Sequence, residues 1–191
     1  MKNRTFILAL ALIGAGLTQT HAAQPKEKGF YFGGVAGISN FDDDGFGEVY
    51  DQDLNRESGA YGVFGGYKFL KYLSLEGRFT QLGDASLSLT YKPTALTANV
   101  VGILPLGSRG VELFGQAGLG AVSINENLSN VGADSQGTEQ VGTIGVGIRV
   151  YPTEIVSLSL QYDRYGWEQK DKGEKYDFST DMIMVGLQWL F

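Results

Sequence analysis

Five charged side chains stand in segments that otherwise read as apolar: Lys68, Glu76, Arg78, Glu112 and Arg149. The clearest case sets Leu73, Leu75, Gly77 and Phe79 against Ser74, Glu76, Arg78 and Thr80. Two carboxylates in one compartment suggest acid and base work. Here they come with basic neighbours, and charges of both signs withdrawn from water must pair or their desolvation is prohibitive. The chemistry on offer is therefore an ion-paired network rather than a reactive centre.

Nucleophilic chemistry is poorly provided for. The chain has no cysteine and a single histidine, His21, so neither a Ser/His nor a Cys/His constellation can be assembled beyond its first residues. Gly118-Leu119-Gly120 and Gly145-Val146-Gly147 do not open a helix after a strand, which excludes a phosphate loop. An acidic run, Phe41-Asp42-Asp43-Asp44-Gly45 through Glu48, Asp51 and Asp53, could attract Ca²⁺ or Mg²⁺. Its spacing does not fit the EF-hand loop, and a solvated acidic loop is the reading preferred. No catalytic residue, metal site or cofactor is expected.

The elements that must position the five charges are strands. Ile183, Val185, Leu187, Trp189 and Phe191 fall on every second position, a period of two with one apolar face. Seven further segments alternate: 30–39, 61–68, 73–80, 96–104, 111–119, 143–150 and 156–163. An aromatic-rich apolar face at a chain end suits a strand solvated by lipid. The expected fold is all-β: an eight-stranded antiparallel up-and-down transmembrane β-barrel, its first strand closing on its last. Short turns at 69–72, 105–110 and 151–154 alternate with long polar loops at 40–57, 123–139 and 165–178. Such asymmetry belongs to outer-membrane barrels, with the short side periplasmic.

The parity of apolar positions flips around Pro93, for which a bulge or a break is the expected cause. Two aromatic belts are also expected. Phe30, Phe32, Tyr67, Phe69, Tyr72, Tyr151, Trp189 and Phe191 mark the short-turn ends; Phe41, Phe79, Tyr162, Tyr165, Trp167 and Phe178 mark the long-loop ends.

If apolar positions face lipid, the opposite set faces a lumen only just wide enough for side chains to fill. That set includes Lys68, Glu76, Arg78, Glu112, Gln116, Arg149, Gln161, Asp163 and Gln188. A salt-bridged plug around Glu76, Arg78, Glu112 and Arg149 is expected, with inward glycines such as Gly145 and Gly147 making room for it. Inward Val35, Phe64, Val101, Ile103 and Phe114 read as packing in preference to a route for apolar solutes.

Lys2 and Arg4 precede an apolar stretch, Phe6 to Leu17, too short to span a bilayer, and Thr20-His21-Ala22 follows. Residues 1–22 read as a signal peptide and 23–191 as the barrel domain. Hydrophobic residues make up 43% and charged residues only 19%; the mean hydropathy of −0.07 looks soluble because strand alternation hides lipophilicity. Net charge is −6, and −8 without the two leader cations, against the basic surface that nucleic acid requires.

The chain resembles the small eight-stranded outer-membrane barrels of the OmpA transmembrane-domain type. The likeness lies in Gly33-Gly34-Val35-Ala36-Gly37, in Gly65-Gly66-Tyr67-Lys68-Phe69 leading to Leu75-Glu76-Gly77 and Leu82-Gly83, and in Met182–Phe191. It implies that Glu76 is the family's interior glutamate, and that Gly186, Trp189 and Phe191 form a C-terminal assembly signal. It also implies a Gram-negative outer-membrane location and a monomer. Partners would be outer-membrane lipids and lipopolysaccharide, with barrel-assembly machinery and periplasmic chaperones during biogenesis. Val35 replaces the pattern's first-strand lysine, so the ion pairs must be wired differently. The family's peptidoglycan-binding domain is expected to be absent.

Some small barrels that this one resembles act on lipid A or as proteases, but their histidine has no counterpart here. The leading expectation is a non-enzymatic structural or surface-interaction protein with a plugged, polar interior. The alternative is a small channel for small or hydrophobic solutes, as in OmpW-like barrels.

Overall fold

The computed structural model describes residues 23, 25–42, 57–83, 85–86, 90–107, 110–126, 136–171 and 174–191. The expected leader and the acidic stretch from Asp43 onward lie outside the described residues.

Nine strands follow one another: β1 (Gly29–Asp42), β2 (Glu57–Leu70), β3 (Leu73–Gln81), the two-residue β4 (Ala85–Ser86), β5 (Thr90–Pro105), β6 (Val111–Glu126), β7 (Gln136–Val150), β8 (Val156–Asp171) and β9 (Glu174–Leu190). All pairings are antiparallel between chain neighbours, with two exceptions that define the closed wall. β3 passes over the small β4 to pair with β5, and β1 pairs with β9, as expected for first and last strands. Eight long strands thus form a closed barrel, which satisfies the backbone groups and leaves no edge facing lipid.

The register gives its dimensions. Following partners from Phe30 through Tyr67, Leu75, Val100, Ala117, Ile144, Arg164 and Asp181 returns to β1 at Asn40, ten residues further on. With strands about 4.8 Å apart and a rise of about 3.3 Å per residue, this stagger tilts them by about 40° and sets a backbone radius of about 8 Å.

The wall is inverted relative to a protein in water. Leu119, Phe30, Val63 and Ile144 are 76%, 70%, 61% and 60% exposed, whereas the charged groups of the opposite parity are buried. A two-residue period serves both surroundings at once, lipid outside and the barrel interior inside.

Three expectations need correction. Strands reach far into the segments read as long loops. β8 and β9 remain paired from Trp167↔Phe178 out to Asp171↔Glu174, and β6 and β7 pair as far as Asn125↔Gln136. A ladder needs backbone partners but not apolar side chains, so these ends carry no hydrophobic alternation to read. The break expected at Pro93 is one-sided: toward β6 the register runs unbroken from Tyr91↔Glu126 to Pro105↔Glu112, whereas on the other side of β5 the β3 ladder stops at Gln81↔Thr94 and resumes in β4 at Ala85↔Tyr91, shifted by one residue. The Pro93 carbonyl accepts the Leu82 amide at 3.0 Å, so the side lacking an N–H faces the place where β3 ends. A further register shift, which the sequence does not announce, lies between Lys68 and Leu70, beside the β2–β3 turn.

The third correction concerns the belts. Tyr151 and Tyr165, 1% and 0% exposed, and the buried Trp167 face inward. Tyr165 is three residues from the outward Tyr162, and an odd separation reverses the face. The short-turn belt stands with Phe30, Phe32, Phe69, Tyr72 and Phe191 exposed, and Phe79 and Tyr162 remain outward at the other end. Phe178 is partly buried and stacks on Trp167, with ring centroids 6.1 Å apart.

Candidate functional site

The lumen gathers all five expected charges, each no more than 6% exposed. They divide into two groups. Halfway along the lumen, β3 presents Glu76 and Arg78 on one face, two residues apart. The Arg78 guanidinium lies 2.8 Å from Glu76 Oε1 through Nη2 and 3.0 Å from Asp163 Oδ2 of β8 through Nη1. Asp163 also accepts from Gln116 Nε2 at 2.6 Å and from Gln161 Nε2. The Tyr31 hydroxyl donates to Glu76 Oε2 at 3.2 Å and lies 3.1 Å from Ser74 Oγ. The guanidinium sits 5.2 Å from the Phe64 ring centre. One cation is clamped between two carboxylates, a geometry suited to arginine's planar fork.

Nearer the short turns, Lys68 Nζ lies 3.0 Å from Glu112 Oε1, and Tyr151 donates its phenol proton to Glu112 Oε2 at 3.1 Å. Arg149 approaches the same carboxylate at 3.8 Å and lies over the Phe114 ring, 4.7 Å from its centre. Glu76 therefore takes Arg78 as its partner, while Arg149 belongs to Glu112. Asp163 is the residue most under-weighted in the sequence. Parity places it inward, but only the β7–β8 and β8–β9 registers bring it to Arg78.

Glycines are cut to this network. A Cβ on Gly145 would collide with the Asp163 carboxylate and crowd Gln116 Nε2 at 3.0 Å; one on Gly147 would meet the Phe114 ring at 2.5 Å. Outward Gly142 and Gly115 have only ordinary contacts there, at 4.0 and 3.8 Å.

Toward the long loops the lumen turns apolar. Leu82, Ala95, Val122, Val141, Tyr165, Trp167 and Met182 join one buried cluster, and Phe178 packs against it. The Tyr165 hydroxyl, 3.1 Å from Thr80 Oγ1, ties this layer to the polar one. Val101, Ile103 and Phe114 form a second cluster, whereas Val35 and Phe64 belong to the first. Asn99 Oδ1, Gln116 Oε1 and Thr143 Oγ1 are buried and have no protein partner among the described residues. Buried polar atoms of this kind are the ones that internal water satisfies.

The C-terminal triplet lies on the closing strand. Trp189 and Phe191 both stack on Phe32, each at 5.6 Å, and the Phe191 amide donates to the Phe30 carbonyl at 2.8 Å. Gly186 faces inward, where a Cβ would meet Ser159 Oγ.

Among the described residues no helix is long and apolar enough to cross a membrane, and no group of His, Cys, Asp and Glu could hold a metal ion. A closed wall, largely apolar outside apart from the outward-facing Arg164–Asp181 pair and charged inside, defines an integral membrane β-barrel. The chain belongs to the family described as the outer membrane protein beta-barrel domain, which matches residues 7–191. This places it in the outer membrane of a Gram-negative bacterium.

Outer membrane protein P5 of Haemophilus influenzae is 33% identical over 135 residues, 64% of this chain and 38% of the relative. Outer membrane protein A of Klebsiella aerogenes is 35% identical over 89 residues, 44% of this chain and 24% of the relative. The chain thus spans well under half the length of these curated relatives.

Among solved structures, Neisserial surface protein A covers 87% of this chain and 99% of its own length, with a TM-score of 0.71 and 16% identity. The attachment invasion locus protein Ail of Yersinia pestis, solved with the heparin analogue sucrose octasulfate, covers 87% of this chain and 100% of its own, with a TM-score of 0.56 and 17% identity. At such identities the likeness is one of fold.

Proposed function

We propose that this protein is a non-enzymatic outer-membrane scaffold whose lumen is plugged by its own side chains and whose loops carry its interactions at the cell surface. The observation behind this reading is Arg78, 2% exposed, bridging Glu76 on one wall and Asp163 on another. A cross-brace of this kind occupies a lumen whose wall is only about 8 Å from its axis. The apolar layer of Tyr165, Trp167 and Met182 lies toward the loop end and supports closure on that side. Loops on a rigid frame are where recognition chemistry commonly resides.

The same reading makes residues 1–22 a leader that directs export. Lipid and lipopolysaccharide surround the apolar wall, and Gly186, Trp189 and Phe191 form the segment that the insertion machinery reads. Among the described residues, the interior carboxylates Glu76, Glu112 and Asp163 are engaged by cations, amides and phenols, which supports a non-catalytic interior. Reconstitution into planar bilayers tests the function: the closed scaffold gives no sustained conductance, whereas steady ohmic current would favour the channel.

A further inference from the structure

The short-turn mouth presents a puzzle of burial. Lys68, Glu112, Arg149, Tyr151, Ser157 and Leu190 lie at or beside the short-turn ends of their strands, yet each is no more than 6% exposed. Side chains in the last rows of a tube should face the water at its opening.

The chain before β1 supplies a cover. The Ala23 backbone nitrogen, the first of the barrel domain once the proposed leader is removed, donates to the Tyr151 carbonyl, in the turn between β7 and β8, at 3.1 Å. At the far end, this segment enters β1 at Gly29, whose partner is Lys68 of β2, and the Glu27 carboxylate stands near Lys71 in the β2–β3 turn. The Lys71 ammonium is held above the ordinary lysine range chiefly by the Tyr72 hydroxyl, with the Glu27 carboxylate adding to it. Around the ring the strands follow as β1, β9, β8, β7, β6, β5, β3 and β2, so these two turns are four strands apart in either direction. They face each other across the opening.

That opening is about 16 Å across between backbones, and half its rim is about 25 Å. The four residue steps from Ala23 to Glu27 span at most about 14 Å of extended chain, so the direct crossing suits the segment better than the rim. Its exposure agrees: Ala23 and Pro25 are partly buried, while Lys26, Glu27 and Lys28 are exposed. Pro25 has no N–H, so no donor is stranded there by the lack of a ladder partner.

We propose that Ala23 and Pro25–Lys28 form a strap across the short-turn mouth and seal the Lys68–Glu112–Arg149 cluster from solvent on that side. Tyr151 links strap to cluster, since its carbonyl holds Ala23 and its hydroxyl holds Glu112. The strap extends the closed-lumen reading to one mouth. Its test reads that mouth alone, because Arg78 and the apolar layer would still block current through the barrel.

The chain has no native cysteine, so Ser157→Cys installs a single reporter just inside the mouth and outside the ion cluster. The rate of modification by a small, charged, water-soluble thiol reagent is measured on the full chain in lipid vesicles and on a variant lacking residues 24–28. The strap predicts slow labelling of the full chain and labelling at least about tenfold faster after the deletion, as for a local opening. Equal rates within about twofold, or rapid labelling of the full chain, would overturn it. If the deletion prevents folding, Glu27→Lys should speed labelling and a compensating Lys71→Glu should slow it again. Failure of that rescue counts equally against the strap.

Discussion

Parity alone placed Lys68, Glu76, Arg78, Glu112 and Arg149 inside, because a strand that offers one face to lipid has only the other for charge. Their pairing was not legible in the same way. Glu76 finds Arg78 on its own strand, but Asp163 arrives from β8, and that meeting depends on a ten-residue stagger no local pattern encodes. The network's demand for space yields a contrast between glycines. Gly145→Ala should destabilise the barrel by about 1–3 kcal/mol, because the new methyl must displace the buried Asp163 carboxylate or Gln116. Gly142→Ala, whose methyl points into lipid, should stay within about 0.5 kcal/mol of the parent. Urea unfolding in lipid vesicles separates the two. Equal effects would mean that the lumen around Asp163 is roomier than the geometry shows.

At the level of strands, the membrane-spanning parts were readable because lipid enforces alternation there. The ends were not. Beyond Trp167 and Phe178 the paired rows of β8 and β9 run through the polar sequences 168–171 and 174–177, which carry no apolar alternation, while the backbone ladder continues. Tyr165 and Trp167 were misplaced for a related reason: aromatic content suggested a belt, while parity, the stronger constraint, pointed inward. Closure was foreseeable from the alternation of the first and last segments, and its register can be checked directly. Ala36 and Val185 are direct partners, both facing outward. Paired strands bring partner Cα atoms to roughly 4.5–5.5 Å, within disulfide reach. Ala36→Cys with Val185→Cys should therefore crosslink in the membrane, and Ala36→Cys with Trp189→Cys should not. The opposite preference would shift the seam.

For the molecule as a whole, assembly and closure can be separated. Phe191 is 60% exposed and packs on Phe32, so losing it removes limited burial, worth at most a few kcal/mol. Phe191→Ser should consequently reduce insertion into the outer membrane of cells far more than it lowers the stability of barrel refolded in vitro. Normal insertion in cells would contradict the proposed role of Phe191 as an assembly signal.

The central claim, an ion-paired core that fills the lumen, is tested most directly by a double-mutant cycle on Arg78 and Asp163, measured by urea unfolding in lipid vesicles. Arg78→Gln strands Glu76 and Asp163 as neighbouring buried carboxylates and should cost about 3–5 kcal/mol. Adding Asp163→Asn removes one of them and should recover much of that loss, a coupling of at least about 1.5 kcal/mol. A coupling below about 0.5 kcal/mol would mean that water, not Arg78, solvates Asp163. The lumen would then be wet, and the channel would replace the plug.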